Sequence, residues 1–147
     1  MNSLDKARKA SQVIREKLLE HGGQATVNSV QGKAYVIRDA GDGKSFLCRQ
    51  LPVTPPYRYE VFDVVVQRLQ ESGGKARKGN GRNYRLGQGR CTEDTIVGAI
   101  GKYYWGKQEG DSVFDPVFVL AAVLEWADIT YNGRGYLELM GDSEQWD

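Results

Sequence analysis

The chain has 147 residues, of which 40% are hydrophobic and 27% charged, with three tryptophans and eight tyrosines; that composition excludes a disordered or fibrous protein and predicts a folded core. The formal net charge of +1 hides a segregation, with 11 Lys/Arg against 8 Asp/Glu in residues 1–72, 6 against 0 in 73–90, and 3 against 11 in 91–147. Cys48 and Cys91 stand alone and make neither a disulfide framework nor a metal cluster, charges interrupt the first 21 residues where a signal peptide needs an apolar core, and the longest apolar run, 117–124, is too short to cross a bilayer. A cytoplasmic protein without a membrane partner is expected.

Leu4, Ala7, Ser11, Ile14 and Leu18 recur at helical spacing and predict a first helix of about five turns, stopped by Gly22-Gly23. QATVNSV, KAYVIRD and SFLCRQL are β-prone runs separated by turn residues, and predict a small antiparallel sheet. PVTPP, residues 52–56, continues neither a helix nor a central strand, which sets a boundary between a unit at 1–51 and one at 57–147, either separate or packed together. Tyr59, Phe62, Val65, Val66 and Leu69 predict a helix over 58–72, ended by Gly73-Gly74.

Thr92 with Glu93 and Asp94 reads as the capped start of a helix over 93–105, closed by Gly106. Asp115-Pro116 reads as the start of another over 116–127, and VFVLAAVLEWA, apolar nearly all round, should be the most buried helix. YNGRGYLELM predicts a turn into a last strand, and GDSEQWD a frayed tail. The fold class expected is α+β, helices with small antiparallel hairpins or wings.

A short pattern occurs three times: Gly32-Lys33-Ala34-Tyr35, Gly81-Arg82-Asn83-Tyr84 and Gly133-Arg134-Gly135-Tyr136. The first two copies follow LLEHGGQA and LQESGGKA, so a helix end, a double glycine and an extended segment precede both. Two explanations stand side by side: related helix–strand units, or convergent turn chemistry in which glycine turns, the cation stays wet and tyrosine packs.

Helices at 93–105 and 116–127 followed by NGRGYLEL, and GRNYRLG after the helix at 58–72, give 57–147 an element order that resembles winged-helix domains, a variant of helix-turn-helix domains. The resemblance implies DNA binding. The chain departs from the pattern where a recognition helix would stand, because VFVLAAVLEWA offers no Lys, Arg, Asn or Gln to read base edges.

Residues 73–90, GGKARKGNGRNYRLGQGR, hold six basic side chains, six glycines and no acid. Lys75, Arg77, Lys78, Arg82, Arg85 and Arg90 suit phosphates, Asn80, Asn83 and Gln88 add polar contacts, and Tyr84 suits stacking on a base. Lys33 and Arg134 occupy the matching turns. The opposing reading is a solvated loop, or one neutralised by Asp111, Asp115 and Glu125 of the acidic third.

Other chemistry is poorly supported. Neither a dinucleotide fingerprint nor a phosphate loop is spelled out, so no cofactor is expected. His21 suits a helix cap, Glu60 with Asp63 and Glu109 with Asp111 and Asp115 suit surface charges better than a metal site, and Cys91 beside Arg90 is the one thiol placed to be reactive. The expected function is non-catalytic nucleic-acid binding, DNA or RNA, through 73–90. The alternative is a protein-interaction or scaffold domain using the acidic third with Tyr103, Tyr104 and Trp105 exposed.

Overall fold

The computed structural model describes residues 8–147. Among them, helices and two antiparallel sheets form an α+β fold. The first helix, α1 (Ala10–Glu20), is shorter than its spacing predicts. Leu4 and Ala7 lie outside the described residues, and Arg8 is bridged to Trp146 instead of being helical. Arg8 donates its amide to Gln145 O at 2.9 Å, and Asp147 donates its amide to Arg8 O at 2.8 Å. The same bridge overturns the expected frayed tail, since Trp146 is buried with the Arg8 guanidinium 5.6 Å above its ring.

Strands β1 (Gln24–Asn28), β2 (Ala34–Asp39) and β3 (Ser45–Cys48) form the predicted meander. Val27, Tyr35, Ile37 and Phe46 point inward, while Thr26, Asn28, Val36 and Arg38 face out, as a strand's two-residue period dictates. The prolines of 52–56 interrupt this sheet without ending it, because β4 (Tyr57–Arg58) returns to pair with β3, Tyr57 opposite Phe46. Helix α2 (Glu60–Glu71) then buries Phe62, Val65, Val66 and Leu69, as its sequence predicts, and Val61 with them.

The second sheet has β5 (Lys75–Arg77), β6 (Thr130–Asn132) and β7 (Tyr136–Leu139) in the order β5-β7-β6. Between β5 and β6 run the basic loop, α3 (Ile96–Ala99) continued by a π-helical turn over Ile100–Tyr104, and α4 (Val117–Trp126). The cap of α3 is Thr95 and not Thr92. Its Oγ1 accepts from Gly98 N at 3.1 Å, and residues 92–95 form a turn against which Gly98 packs so tightly that a Cβ there would stand 1.9 Å from Thr92 O. Helix α4 is the most buried, as an all-round apolar helix must be, though Phe118 in its first turn is exposed and Trp126 at its end is half-buried.

Three helices enter their strands through one corner. Gly22, Gly73 and Asp128 take positive φ of 79°, 77° and 60°. Each of these donates its amide to the carbonyl three residues back, and the next residue donates to the carbonyl of Leu18, Leu69 or Leu124 at 2.9, 2.7 and 2.9 Å. This is the Schellman arrangement. The carbonyl after each corner, of Gly23, Gly74 and Ile129, accepts from Asp39, Leu139 and Met140, which fastens it to the end of a neighbouring strand. The double glycines therefore mark two of three equivalent corners, and aspartate, which tolerates the left-handed region, serves in the third.

The Gly-basic-x-Tyr pattern is less uniform. Tyr35 stands in β2 and Tyr136 in β7, but Tyr84 is in no strand. There Asn80 Oδ1 accepts from the amides of Arg82 and Asn83 at 3.0 and 2.9 Å, so GRNYRLG is an Asx turn and not the edge of a wing.

Candidate functional site

Residues 78–95 are tied down at both ends and in the middle. Lys78 donates its amide to Gly135 O at 2.8 Å beyond the last β5–β7 pair, and Asn80 donates to Arg90 O at 2.7 Å, closing the loop's base. Leu86 and Cys91 are buried in the core, and the Leu86 amide donates to Asp111 O while its carbonyl accepts from Gly110. Two glycines are required by this path. Gly79, at φ 81°, would place a Cβ 2.6 Å from Arg90 O, and Gly89, at φ 50°, would place one 2.1 Å from the Tyr84 ring. The glycines thus serve the loop's own packing.

The carboxylates expected to neutralise the loop are held by backbone. Asp115 accepts from Gly81 N and Val117 N, each at 3.1 Å, which fastens the loop to the start of α4. Asp111 accepts from Gln108 N at 2.8 Å and Glu125 from Asn132 N at 3.1 Å. Among the described residues, Lys75, Arg77, Lys78, Arg82, Arg85 and Arg90 have no carboxylate within 4.0 Å, the ion pairs being Arg15–Asp39, Arg58–Glu60, Arg68–Glu71 and Lys102–Glu93. Even Lys75, opposite Glu138 in register, sets its ammonium 4.3 Å above the Tyr136 ring instead.

The fold gathers these cations unevenly. Lys75, Arg77, Arg90 and Arg134 line one depression of about 940 Å³, whose single carboxylate, Asp94, accepts a hydrogen bond from the Thr92 hydroxyl. Lys33, Lys78 and Arg134 line a second, of about 370 Å³. Arg134 and Gly135, the β6–β7 turn, belong to both, so two of the three Gly-basic-x-Tyr turns meet at one place. Arg82 and Arg85 line neither; Arg82 is exposed, and Arg85 donates to Gly110 O at 3.1 Å. Tyr84 supports Arg90, whose guanidinium lies 5.8 Å over its ring.

Lys78 differs from the other cations in being half-buried. Burial lowers its pKa from the ordinary lysine range, while Glu125 and Asp115 at longer range pull it back up. Two residues of this region carry no signal in the sequence, Phe118 and Asn132, both lining the second depression. Asn132 is 5% exposed and its Oδ1 has no hydrogen-bond partner among the described residues. Only the fold brings the first turn of α4 and the end of β6 to Lys33.

Elsewhere the chemistry is structural. Burial pushes the Cys91 thiol up from its usual range, the opposite of an activated nucleophile. His21 Nδ1 donates to Lys17 O at 2.9 Å, and the ring packs edge-on to Trp126. Asp63 accepts from Ser11 N at 2.9 Å, and Glu60 pairs with Arg58. Of the three aromatics expected at a protein interface, Tyr103 alone is exposed, for Tyr104 and Trp105 pack on Tyr57. The chain matches no protein-family model, no curated protein and no solved structure.

Proposed function

We propose that this protein binds nucleic acid without catalysis, gripping the phosphate backbone through the cations around the β6–β7 turn. One observation carries the reading: Lys75, Arg77, Arg90 and Arg134 converge on one depression with no ion-paired carboxylate, while Asp111, Asp115 and Glu125 are bonded to amides. Four cations clustered without ion-pair partners repel one another unless an anion arrives, and a polyphosphate supplies one. The order α2, β5, α3, α4, β6, β7, with β7 between β5 and β6, supports the resemblance to winged-helix domains, the β6–β7 turn standing for the wing. In this reading α4 is core, and contact comes from loop and turn, so binding follows backbone more than sequence.

The test is fluorescence anisotropy with labelled duplex and single-stranded oligonucleotides over a salt series. Affinity should fall steeply with salt, and replacing Arg77, Arg90 and Arg134 together by Ala should make the log–log slope shallower by about 0.9 for each duplex phosphate no longer neutralised while the fold is retained. Replacing Arg82 and Arg85 should do less. Absence of binding to either form at low salt refutes the proposal.

A further inference from the structure

We infer that the smaller depression beside Arg134 receives an unpaired base, so that the preferred ligand is a single strand, its backbone running past Lys75, Arg77 and Arg90. This inference rests on the nucleic-acid reading above and specifies its ligand. The depression, about 370 Å³, is of the size that takes one small organic group, and it combines cations with an aromatic ring. Phe118 is 38% exposed on a helix whose other apolar residues from Val117 to Leu124 are buried. Its one ring partner among the described residues is Tyr35, edge-on at 5.7 Å and 70°, which braces the ring and leaves part of it open. An open ring inside a ring of cations suits a base, whose π-face stacks while its phosphate is held at the rim.

Asn132 is the second, independent observation. Asn132 lines the same depression and is nine-tenths buried, and its Oδ1 has no hydrogen-bond partner among the described residues. A buried amide oxygen without a partner is costly, and a carboxamide offers both donors and an acceptor to a base edge. A Watson–Crick-paired base has that edge occupied and its faces stacked; an unpaired one has neither. Lys78 and Lys33 stand where the attached phosphate would lie, and Arg134 bridges to the larger depression, which continues the backbone path.

The experiment compares a single-stranded oligonucleotide, the matching duplex and a nucleoside monophosphate on the full chain, wild type against Phe118→Ala, Phe118→Trp and Asn132→Ala, with folding verified by circular dichroism. Phe118→Ala should weaken single-strand binding by about five- to a hundredfold, Phe118→Trp should preserve it, and duplex affinity should change less than about twofold, since the groups that meet the backbone are untouched. Equal losses for single strand and duplex, or no loss for either, would overturn the base pocket while the phosphate-binding proposal stood. Binding of the monophosphate with Phe118 dependence, but not of the strand, would assign the pocket to a free nucleotide and overturn the strand. No binding by wild type to any of the three would remove both proposals.

Discussion

Arg15, Arg58 and Arg68 in the first half of the chain each have a carboxylate within ion-pair reach, Asp39, Glu60 and Glu71; among the described residues Arg77, Arg82, Arg85 and Arg90 have none. The side chains are identical and the difference lies in where nearby acids spend their oxygens. Asp39 also accepts the Tyr59 hydroxyl at 2.6 Å, linking β2 to the start of α2, so its pair belongs to a structural junction. Around the loop, Asp115 and Asp111 spend their oxygens on amides and not on guanidinium groups. A segment's formal charge is therefore a poor guide to its free charge.

The largest test of that contrast removes the scaffold that keeps the loop in place. Gly98→Ala drives a Cβ into Thr92 O, and should cost about 3 kcal/mol or more in urea unfolding, in the range of severe core lesions. Oligonucleotide affinity measured where the variant is still folded should fall with it. Exchanging the two arginine sets comes next. Arg15→Ala or Arg58→Ala should cost about 1 kcal/mol or less, as expected of partly exposed pairs, and leave oligonucleotide affinity unchanged. Arg77→Ala or Arg90→Ala should leave the unfolding midpoint unmoved and weaken binding. If the first set governs binding as strongly as the second, the contrast has no functional meaning.

The smallest effect is a pH dependence specific to Lys78. Its folded pKa is lowered by burial, so between that lowered value and the ordinary 10.5 the unfolded chain holds the proton that the folded chain releases. Stability contributed by this group rises with pH through that window, and anion binding falls, because the ammonium is lost. Titrating oligonucleotide affinity toward alkaline pH should show the loss in wild type and a flatter profile in Lys78→Arg, whose guanidinium stays charged. Identical profiles would mean Lys78 does not meet the ligand.

Most of the elements were legible because their signals are local. The face Phe62, Val65, Val66 and Leu69 and the double glycines after α1 and α2 carry their structure in spacing or turn chemistry. What was illegible depends on distant residues. Thr92 has the residues of a cap, yet Gly98 packing on its carbonyl hands the role to Thr95. The third corner was hidden because Asp128 replaces the glycine, and the tail's order depends on Arg8, at the opposite end of the chain from Trp146. At the site, Lys75, Arg77 and Arg90 were readable from composition. Their convergence with Arg134, and the exclusion of Arg82 and Arg85, follows from β5–β7 pairing and the Asn80 turn, which no charge count contains.

Leu86, with Cys91, acts as a plug in the core, and together with the clasp of Asn80 on Arg90 it leaves the intervening chain little freedom to lose. A polyanion meeting this surface would find a preshaped receptor, with side-chain ordering the main conformational toll. Calorimetry of such an encounter should show a small entropic penalty compared with an unanchored arginine–glycine tail of equal charge.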